Sequence, residues 1–349
     1  MKKNRFYKFA ALTLSAAMMA LSFAGCVGTE SADSSTAGSE SGAAKTRKIG
    51  VIQYAVHASL DNCYDGLVQG LEAAGYKNGE NLTIDFQNAL GQTETANQLA
   101  QNMAARKYDM IIGIATPAAI AAYAAGSGSD IPVVFCAVSD PVSAKLVKSL
   151  DAPGNNCTGT SDLLNLEAQL KLIRALQPDA KKIGILYTTS EANSVSHLAE
   201  IKKLAPDYGF EIVEQGVQSG ADVPQAAAAL ASKVDCINNF TDNNVVDNLT
   251  SVLAKANEAG IPVYGSEVEQ VRKGCIASES LDYIALGKET GTLAAKVLNG
   301  ADPRTTAVVQ VKEVEAGASG FQNYLGQTYD PAARQWTERY GRRITVKFG

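Results

Sequence analysis

The sequence predicts an α/β protein built as two doubly wound parallel-sheet lobes joined by a hinge. Three observations carry this. Six short apolar runs read as strands buried on both faces, and helical sequence lies between them. Each run stops at a polar residue, at Gln53, Thr116, Ser139, Thr188, Thr241 and Ser266, as strands do where they enter the loops at the carboxyl edge of an open sheet. Finally, KIGILY at 182–187 repeats KIGVIQ at 48–53, so the pattern starts a second time.

In chain order, 48–53 is a strand, 54–59 its loop, and 60–75 an amphipathic helix closed by Gly75. Residues 81–88 alternate as a second strand, and 93–107 form a helix with Leu99 and Met103 inward. The runs MIIGIA and IPVVFCA, within 110–142, are the central strands. After the first, Pro117 suits the opening turn of an alanine-rich helix. Thr116 is then its N-cap, and the unbonded N–H groups of that turn form an anion site. A helix after Pro141 is expected to end over 145–150. Residues 157–162, CTGTSD, read as an extended crossing, followed by a helix at 166–176.

The second half opens with the strand 182–187 and its loop, 188–194. A helix to 204, a strand at 210–215, a helix at 223–233 and a strand at 235–240 follow. That strand ends in Thr241-Asp242-Asn243; a helix to Gly260 and a strand at 261–264 complete the half. Residues 278–283 cross back, and the helix 284–298 returns to the first half.

A length of 349 residues suits two domains with ample core. The formal net charge of −5 argues against a nucleic-acid partner, and two histidines argue against a histidine-rich metal site. No cofactor is expected. Beyond Cys26 the cysteines are Cys63, Cys136, Cys157, Cys236 and Cys275, an odd number without CxxC spacing. Cys136 and Cys236 sit in or beside apolar runs, where cysteine acts as a small hydrophobe, so no structural disulfide is favoured. Before the fold, Lys2, Lys3, Arg5 and Lys8 precede an uncharged, mostly apolar stretch at 9–25, the pattern of a secretory signal. The stretch 27–46, rich in Ser, Gly, Ala and Thr, reads as a flexible tether.

The end of that signal, LSFAGC at 21–26, resembles a bacterial lipobox, with Cys26 as the acylated residue. IATPAA (114–119), AVSDPVSAKLV (137–147), TGTSD (158–162), TSEANS (189–194) and TDN (241–243) follow in order. Together with the lipobox, they resemble the solute-binding lipoproteins of ABC importers, in particular the subfamily that binds tryptophan and other aromatic amino acids. The resemblance spans about 49–321. It implies a type I periplasmic-binding-protein fold that closes on its ligand, three crossings between lobes, and no catalysis. It also implies a monomer held by lipid at the extracytoplasmic face of the cell membrane, delivering solute to a permease and its ATPase. The implied divisions are a signal at 1–26, a tether at 27–46, lobe 1 from 47–160 plus about 283–307, lobe 2 from 161–282 plus about 308–325, and an atypical tail at 326–349. At the last acidic ligand-side position that the resemblance implies, Ser266-Glu267 stands where Ser-Asp is expected.

An amino acid presents a carboxylate and an ammonium. Expected donors to the carboxylate are Thr116, the N–H groups of Ala118 and Ala119, Ser139, and, from the facing half, Asn193 and Ser194. For the ammonium, Asp242 is the first choice because it directly follows a buried strand; Asp140 and Glu191 come next. His57 is a further donor, and Ser266 ends the last strand at the same edge. Tyr54, Val56 and Tyr264 are candidates for an apolar wall. An enzyme would have to use Asp242, Glu191 and His57 as acid–base groups, and no GxSxG, HExxH or phosphate-loop motif supports that. A ligand-sensing lipoprotein acting with a membrane receptor, for a branched-chain amino acid, sugar or nucleoside, is the alternative.

The lipobox makes Cys26→Ser a direct test. Membrane fractionation and labelling with radioactive palmitate should show loss of lipid and of the processed, membrane-bound form; a processed variant still held at the membrane would refute acylation at Cys26.

Overall fold

The computed structural model describes residues 46–311, together with Tyr329–Asp330 and Gln335–Trp336, which pair antiparallel. The expected signal, Cys26 and almost all of the tether and tail lie outside the described residues.

The chain runs β1 (Arg47–Gln53), α1 (Ala58–Ala73), β2 (Leu82–Asn88), α2 (Thr93–Ala105), β3 (Met110–Ile114), α3 (Thr116–Gly126), β4 (Val133–Cys136) and β5 (Cys157–Ser161). It then passes through α4 (Leu166–Leu176), β6 (Lys182–Thr188), α5 (Ala192–Leu204), β7 (Glu211–Val217), α6 (Val223–Ala231) and β8 (Cys236–Asn238). There follow α7 (Asn243–Asp247), α8 (Leu249–Ala259), β9 (Val263–Tyr264), α9 (Val268–Lys273), α10 (Tyr283–Leu298) and β10 (Val309–Gln310). One sheet has the order β10-β5-β4-β3-β1-β2 and the other β7-β6-β8-β9, with every pairing parallel. This is the expected α/β fold of two doubly wound lobes. Their cores are separate. Lobe 1 packs around Ile49, Ile112, Val134 and Phe135. Lobe 2 packs around Ile183, Ile185 and Phe240 on one face of its sheet and Leu230, Ile237 and Leu249 on the other.

Several local expectations are corrected. Residues 157–161 are a full strand, β5, between β4 and β10, and the crossing begins only at Asp162. The strand was hard to see because its side chains are hydroxyls and glycine. Burial is compensated by hydrogen bonds from Thr158 to the Thr306 carbonyl and between Thr160 and Thr290, 2.7 Å apart. Gly159 lies where a Cβ would stand 2.2 Å from the Phe135 carbonyl oxygen. No helix follows Pro141. The Asp140 carboxylate accepts the Ser143 N–H, the Pro141 carbonyl accepts from Leu146, and Lys145 takes φ 60°, so the chain turns tightly instead. The expected helix to Gly260 is two helices meeting at Asn248. Val309–Gln310, expected in lobe 2, pair with Thr160–Ser161 in the sheet of lobe 1. The third crossing, expected at about 307–308, is therefore not made there: the chain is still in the lobe 1 sheet at Gln310.

Asp282 caps α10 by accepting the Ile284 and Ala285 N–H groups. Arriving from lobe 2, α10 then packs lengthwise on α1 through paired glycines, Gly66 and Gly70 against Gly287 and Gly291. A Cβ on Gly287 would meet the Cys63 carbonyl oxygen at 2.3 Å, and one on Gly66 the Ile284 carbonyl oxygen at 2.2 Å. Both obstacles are backbone and cannot swing aside.

Gly287→Ala should therefore destabilise by about 1–3 kcal/mol, the usual cost of overpacking. Gly128→Ala, whose Cβ meets nothing within 4 Å, is the control. Denaturant unfolding followed by circular dichroism measures both; equal stabilities would mean that the helices separate without penalty.

Candidate functional site

The two lobes touch across a cleft between their strand ends. His57 Nε2 lies 3.5 Å from Asn243 Oδ1, and the Ser59 hydroxyl donates to Glu267 Oε2 at 2.6 Å. Asn62 donates to Glu269 at 3.3 Å, and Ser196 to Asp140 Oδ2 at 2.6 Å. Between the lobes is a cavity of about 10 Å³, roughly the space of one water molecule. Lobe 1 lines it with His57, Leu60, Ala115, Thr116, Ala137 and Ser139; lobe 2 supplies Asn193, Thr241, Asn243 and Glu267; Asp162 and Tyr283, at the two crossings, complete it.

On the lobe 1 side the backbone is bent to form the wall. Ala115 and Ala137, close behind β3 and β4, hold φ of 76° and 56°. Such angles cost a non-glycine residue about 1–3 kcal/mol and tend to gather at ligand sites. The turn at Ala115 corrects the reading of Thr116, because Ala115 and not Thr116 occupies the cap position of α3. Thr116 is already in the first turn and borders the cavity. The Ala119 N–H, expected to face a ligand, donates to the Ala115 carbonyl at 3.0 Å. Thr116 and Ala118 remain as first-turn N–H groups without an intrahelical acceptor. Ser139 borders the cavity too, and its hydroxyl donates to Asp162.

Lobe 2 presents carboxylates. Asp242 is fully buried, and both its oxygens are engaged. One accepts from the Thr188 hydroxyl and the Val245 N–H, the other from the Thr188 N–H and the Ser194 hydroxyl. Glu191 Oε2 accepts from Asn243 Nδ2 at 2.7 Å, from the Asn243 N–H at 3.2 Å and from Asn193 at 3.3 Å. Its Oε1 is buried and has no partner; the same holds for Asn193 Oδ1, Thr241 Oγ1 and His57 Nδ1. Burial, reinforced by the charge of Asp242, pushes the Glu191 carboxyl up to about 8. Burial likewise pushes Glu267 up to about 7 and raises Asp162, which also accepts the Tyr283 hydroxyl at 3.0 Å. Among the described residues no ion pair reaches any of these four carboxylates, and no three metal-ligating side chains are placed to hold an ion.

Other expected residues lie away from the cavity. The Tyr54 hydroxyl is held by the Gly91 carbonyl and Thr93, and Tyr264 reaches Gln177 through the lobe 2 core. Ser266 is buried behind the wall, bonded to Gln169 and the Asn239 carbonyl. Val56 is exposed. Asp140 borders a larger open groove of about 860 Å³ outside the first crossing, with Leu163, Val195 and His197. His197 lies edge-on to Phe240 with both ring nitrogens unpaired, and burial lowers it to about 4. Of the residues with unpaired buried groups, His57, Asn193 and Thr241 line the small cavity; Glu191, bonded to Asn193 and Asn243 of that lining, does not itself border it, and neither does Asp242. Asp162, Asn243 and Tyr283 were not among the expected ligand contacts, whereas Glu267 was expected on the ligand side through the resemblance. TGTSD and TDN contain Asp162 and Asn243, but only packing across the lobes brings Tyr283 to the same space.

The sequence matches the family described as ABC transporter substrate binding protein over residues 48–316. It is 39% identical over 291 residues to a tyrosine-binding protein of Clostridioides difficile strain R20291, covering 83% of this chain and 84% of that one. The structure is similar to that of an ABC domain from Streptococcus pneumonia in complex with L-Trp, with TM-score 0.75, 36% identity, and coverage of 77% and 90%. It is also similar to a ligand-free, open substrate-binding protein of Clostridium difficile, with TM-score 0.58, 40% identity, and coverage of 76% and 89%. Although the sequence is no closer to the L-Trp complex, the superposition is better there.

The buried groups set a pH dependence. Glu191 and Glu267 keep their protons to about 8 and 7 when folded, whereas an unfolded glutamate loses its proton near 4.3. Between those values the unfolded chain binds fewer protons, so stability falls as pH rises. His57 and His197, lowered to about 4, act oppositely, but only up to their ordinary value of 6.5. Thermal unfolding should thus show Tm falling from pH 6.5 to 8, with Glu191→Gln flattening the decline. A Tm constant or rising over that range would contradict the burial of these carboxylates.

Proposed function

This chain belongs to the ABC transporter substrate-binding protein family, and we propose that it captures an aromatic L-amino acid in the cleft between its lobes. It is a binding protein and not an enzyme. The observation that carries the ligand class is the set of unpaired buried acceptors, Glu191 Oε1, Asn193 Oδ1 and Thr241 Oγ1, beside two carboxylates with no cation. Each unsatisfied buried acceptor costs about 1–3 kcal/mol. An ammonium has three N–H donors and a positive charge, which answers both deficits. Asn193 ties the three together, since its amide nitrogen contacts Glu191 Oε2 and the Thr241 carbonyl. Across the cleft, the first turn of α3 and the Thr116 hydroxyl suit the α-carboxylate, whereas the Ser139 hydroxyl is already given to Asp162.

The ammonium contact falls to Glu191 and not to Asp242, because four donors of its own lobe already occupy the Asp242 oxygens. Asp242 acts from behind: its charge adds to burial in keeping Glu191 protonated until a cation arrives. The aromatic side chain is supported by the similarity to a tyrosine-binding protein and to a domain solved with L-Trp. A cavity of about 10 Å³ cannot admit such a ligand without the lobes parting, so binding involves opening and closing about the crossings. We further propose that Cys26 carries the lipid that holds the protein on the extracytoplasmic face, that the ligand passes to a permease and its ATPase, and that residues about 283–311 move with lobe 1.

Isothermal titration calorimetry tests the site. Glu191→Gln removes the counter-charge in a closed cleft and should cost about 2–5 kcal/mol, roughly 30-fold to several thousand-fold in affinity. Thr116→Val should cost less, about 1–2 kcal/mol, because backbone donors remain. Since the ammonium lowers Glu191 from about 8, binding at pH 7 should release a proton, visible as a heat that varies with the buffer. If the parent binds tyrosine, tryptophan and phenylalanine no better than glycine, the aromatic reading fails; unchanged affinity in Glu191→Gln would move the ammonium elsewhere.

A further inference from the structure

We propose that Gln270, which does not border the cavity, is the residue that positions Thr241 and the turn after it for the ligand, by continuing the pairing of β8 with β9 past the point where their backbones part. This rests on the reading of the cleft given above. The two strands pair only at Ile237–Val263 and Asn238–Tyr264, and the last backbone link is the Asn239 N–H to the Tyr264 carbonyl at 2.8 Å. Beyond it the Gly265 N–H goes to the Ala277 carbonyl instead, so the backbone ladder stops one residue short of Phe240. Side chains then take over. The Ser266 hydroxyl donates to the Asn239 carbonyl at 2.8 Å, and Gln270 Nε2 to the Phe240 carbonyl at 3.0 Å. Gln270 Oε1 accepts from Asn239 Nδ2 at 3.0 Å and from the Ser266 N–H at 3.1 Å, and the same side chain bonds the Glu267 carboxyl. One amide thus spans both strand ends, using both its acceptor and its donor side.

What the amide holds leads directly to the ligand. Thr241 follows Phe240 and borders the cavity with its buried Oγ1 unpaired, and its carbonyl accepts from Asn193 at 3.4 Å. Asp242 and Asn243 come next, as the cap and first residue of α7. Gln270 itself is 1% exposed and is fixed from its own backbone, whose carbonyl accepts the Cys275 N–H at 3.1 Å. Space is kept for it: a Cβ on Gly265 would stand 2.9 Å from Gln270 Oε1. Without the amide, the Phe240 carbonyl, the Ser266 N–H and Asn239 Nδ2 lose their partner in a buried place, which favours any rearrangement that satisfies them. The segment 239–243 then leaves its single arrangement, and affinity falls by the fraction of molecules still holding it.

Calorimetry with L-tyrosine and L-tryptophan, and amide hydrogen exchange followed by mass spectrometry, test this on the parent, Gln270→Met, Gly265→Ala and Gly184→Ala. Gln270→Met keeps the bulk and removes the amide; Gly265→Ala keeps the amide and displaces its oxygen. Gly184→Ala, in the middle of β6, overpacks the lobe 2 core where its Cβ would meet Leu230 at 2.9 Å, and controls for lost stability alone. Gln270→Met and Gly265→Ala should each bind about tenfold more weakly, which corresponds to about a tenth of the molecules holding the competent arrangement. In both, exchange over 239–243 should be faster than in the parent without ligand and return to the parent rate at saturation, whereas Gly184→Ala should keep the parent affinity. Parent-like affinity in Gln270→Met, a loss in Gly184→Ala as large as in the other two, or exchange over 239–243 that stays fast at saturation would overturn the proposal. If Gln270→Met does not fold, Gly265→Ala decides by the same readings. Failure of the parent to bind either amino acid would instead overturn the reading of the cleft on which it rests.

Discussion

The structure depends on burying carboxylates at the strand ends without a protein cation. Glu191, Asp242, Asp162 and Glu267 are each at most 3% exposed, and charge in such a place is costly unless hydrogen-bonded or neutralised. Asp242 solves the problem locally. Four donors converge on it from the end of β6, the first turn of α5 and the first turn of α7, so its burial also ties those three segments together. Glu191 is solved only in part, with one oxygen satisfied and the other not. That incomplete solution is the feature a cationic ligand can complete, and burial with the nearby Asp242 charge keeps the group protonated near neutrality.

The second constraint is mechanical. The apolar clusters belong to one lobe or the other, whereas the contacts across the cleft are a few polar ones, among them Ser59–Glu267 and Ser196–Asp140. Separating the lobes therefore uncovers only the cavity lining, such as Leu60 and Ala115, without dividing either core, and exchanging each of these hydrogen bonds for one to water costs about 0.5–1.5 kcal/mol. Bending is confined by the glycine packing of α10 on α1, which binds the returning segment to lobe 1 from Tyr283 onward. In the proposed opening and closing, the crossings at 162–165 and 278–282 would absorb the motion, and Asp162 and Tyr283, which border the cavity, sit at their ends.

The strand-end rule reached part of the cavity wall. Thr116, Ser139, Asn193 and His57 border the cavity because each lies in a loop or first helical turn just beyond a strand of an open sheet. The same rule also selected Tyr54 and Ser266, which point into their own lobes. Being near a strand end places the backbone at the cleft, but the side chain may face either way. Strand β5 was missed because pattern reading looks for apolar residues, and here threonine hydroxyls bonded to Thr306 and Thr290 take their place. The expected helix after Pro141 failed for a related reason: the Asp140 carboxylate satisfies a loop instead of a helix start.

The sequence by itself determined the two lobes, their parallel sheets and the edge at which a ligand would lie. These follow from periodicity and from where apolar runs stop, and both are local properties of the chain. Only the tertiary structure decided which carboxylate is available. Asp242 and Glu191 look alike in sequence, and the difference between them is a count of donors arriving from segments about fifty residues away. It also decided that Ser59 and Glu267, 208 positions apart, share one hydrogen bond. Long-range convergence of this kind leaves no trace in local composition, because each partner would be equally at home capping a helix or facing water.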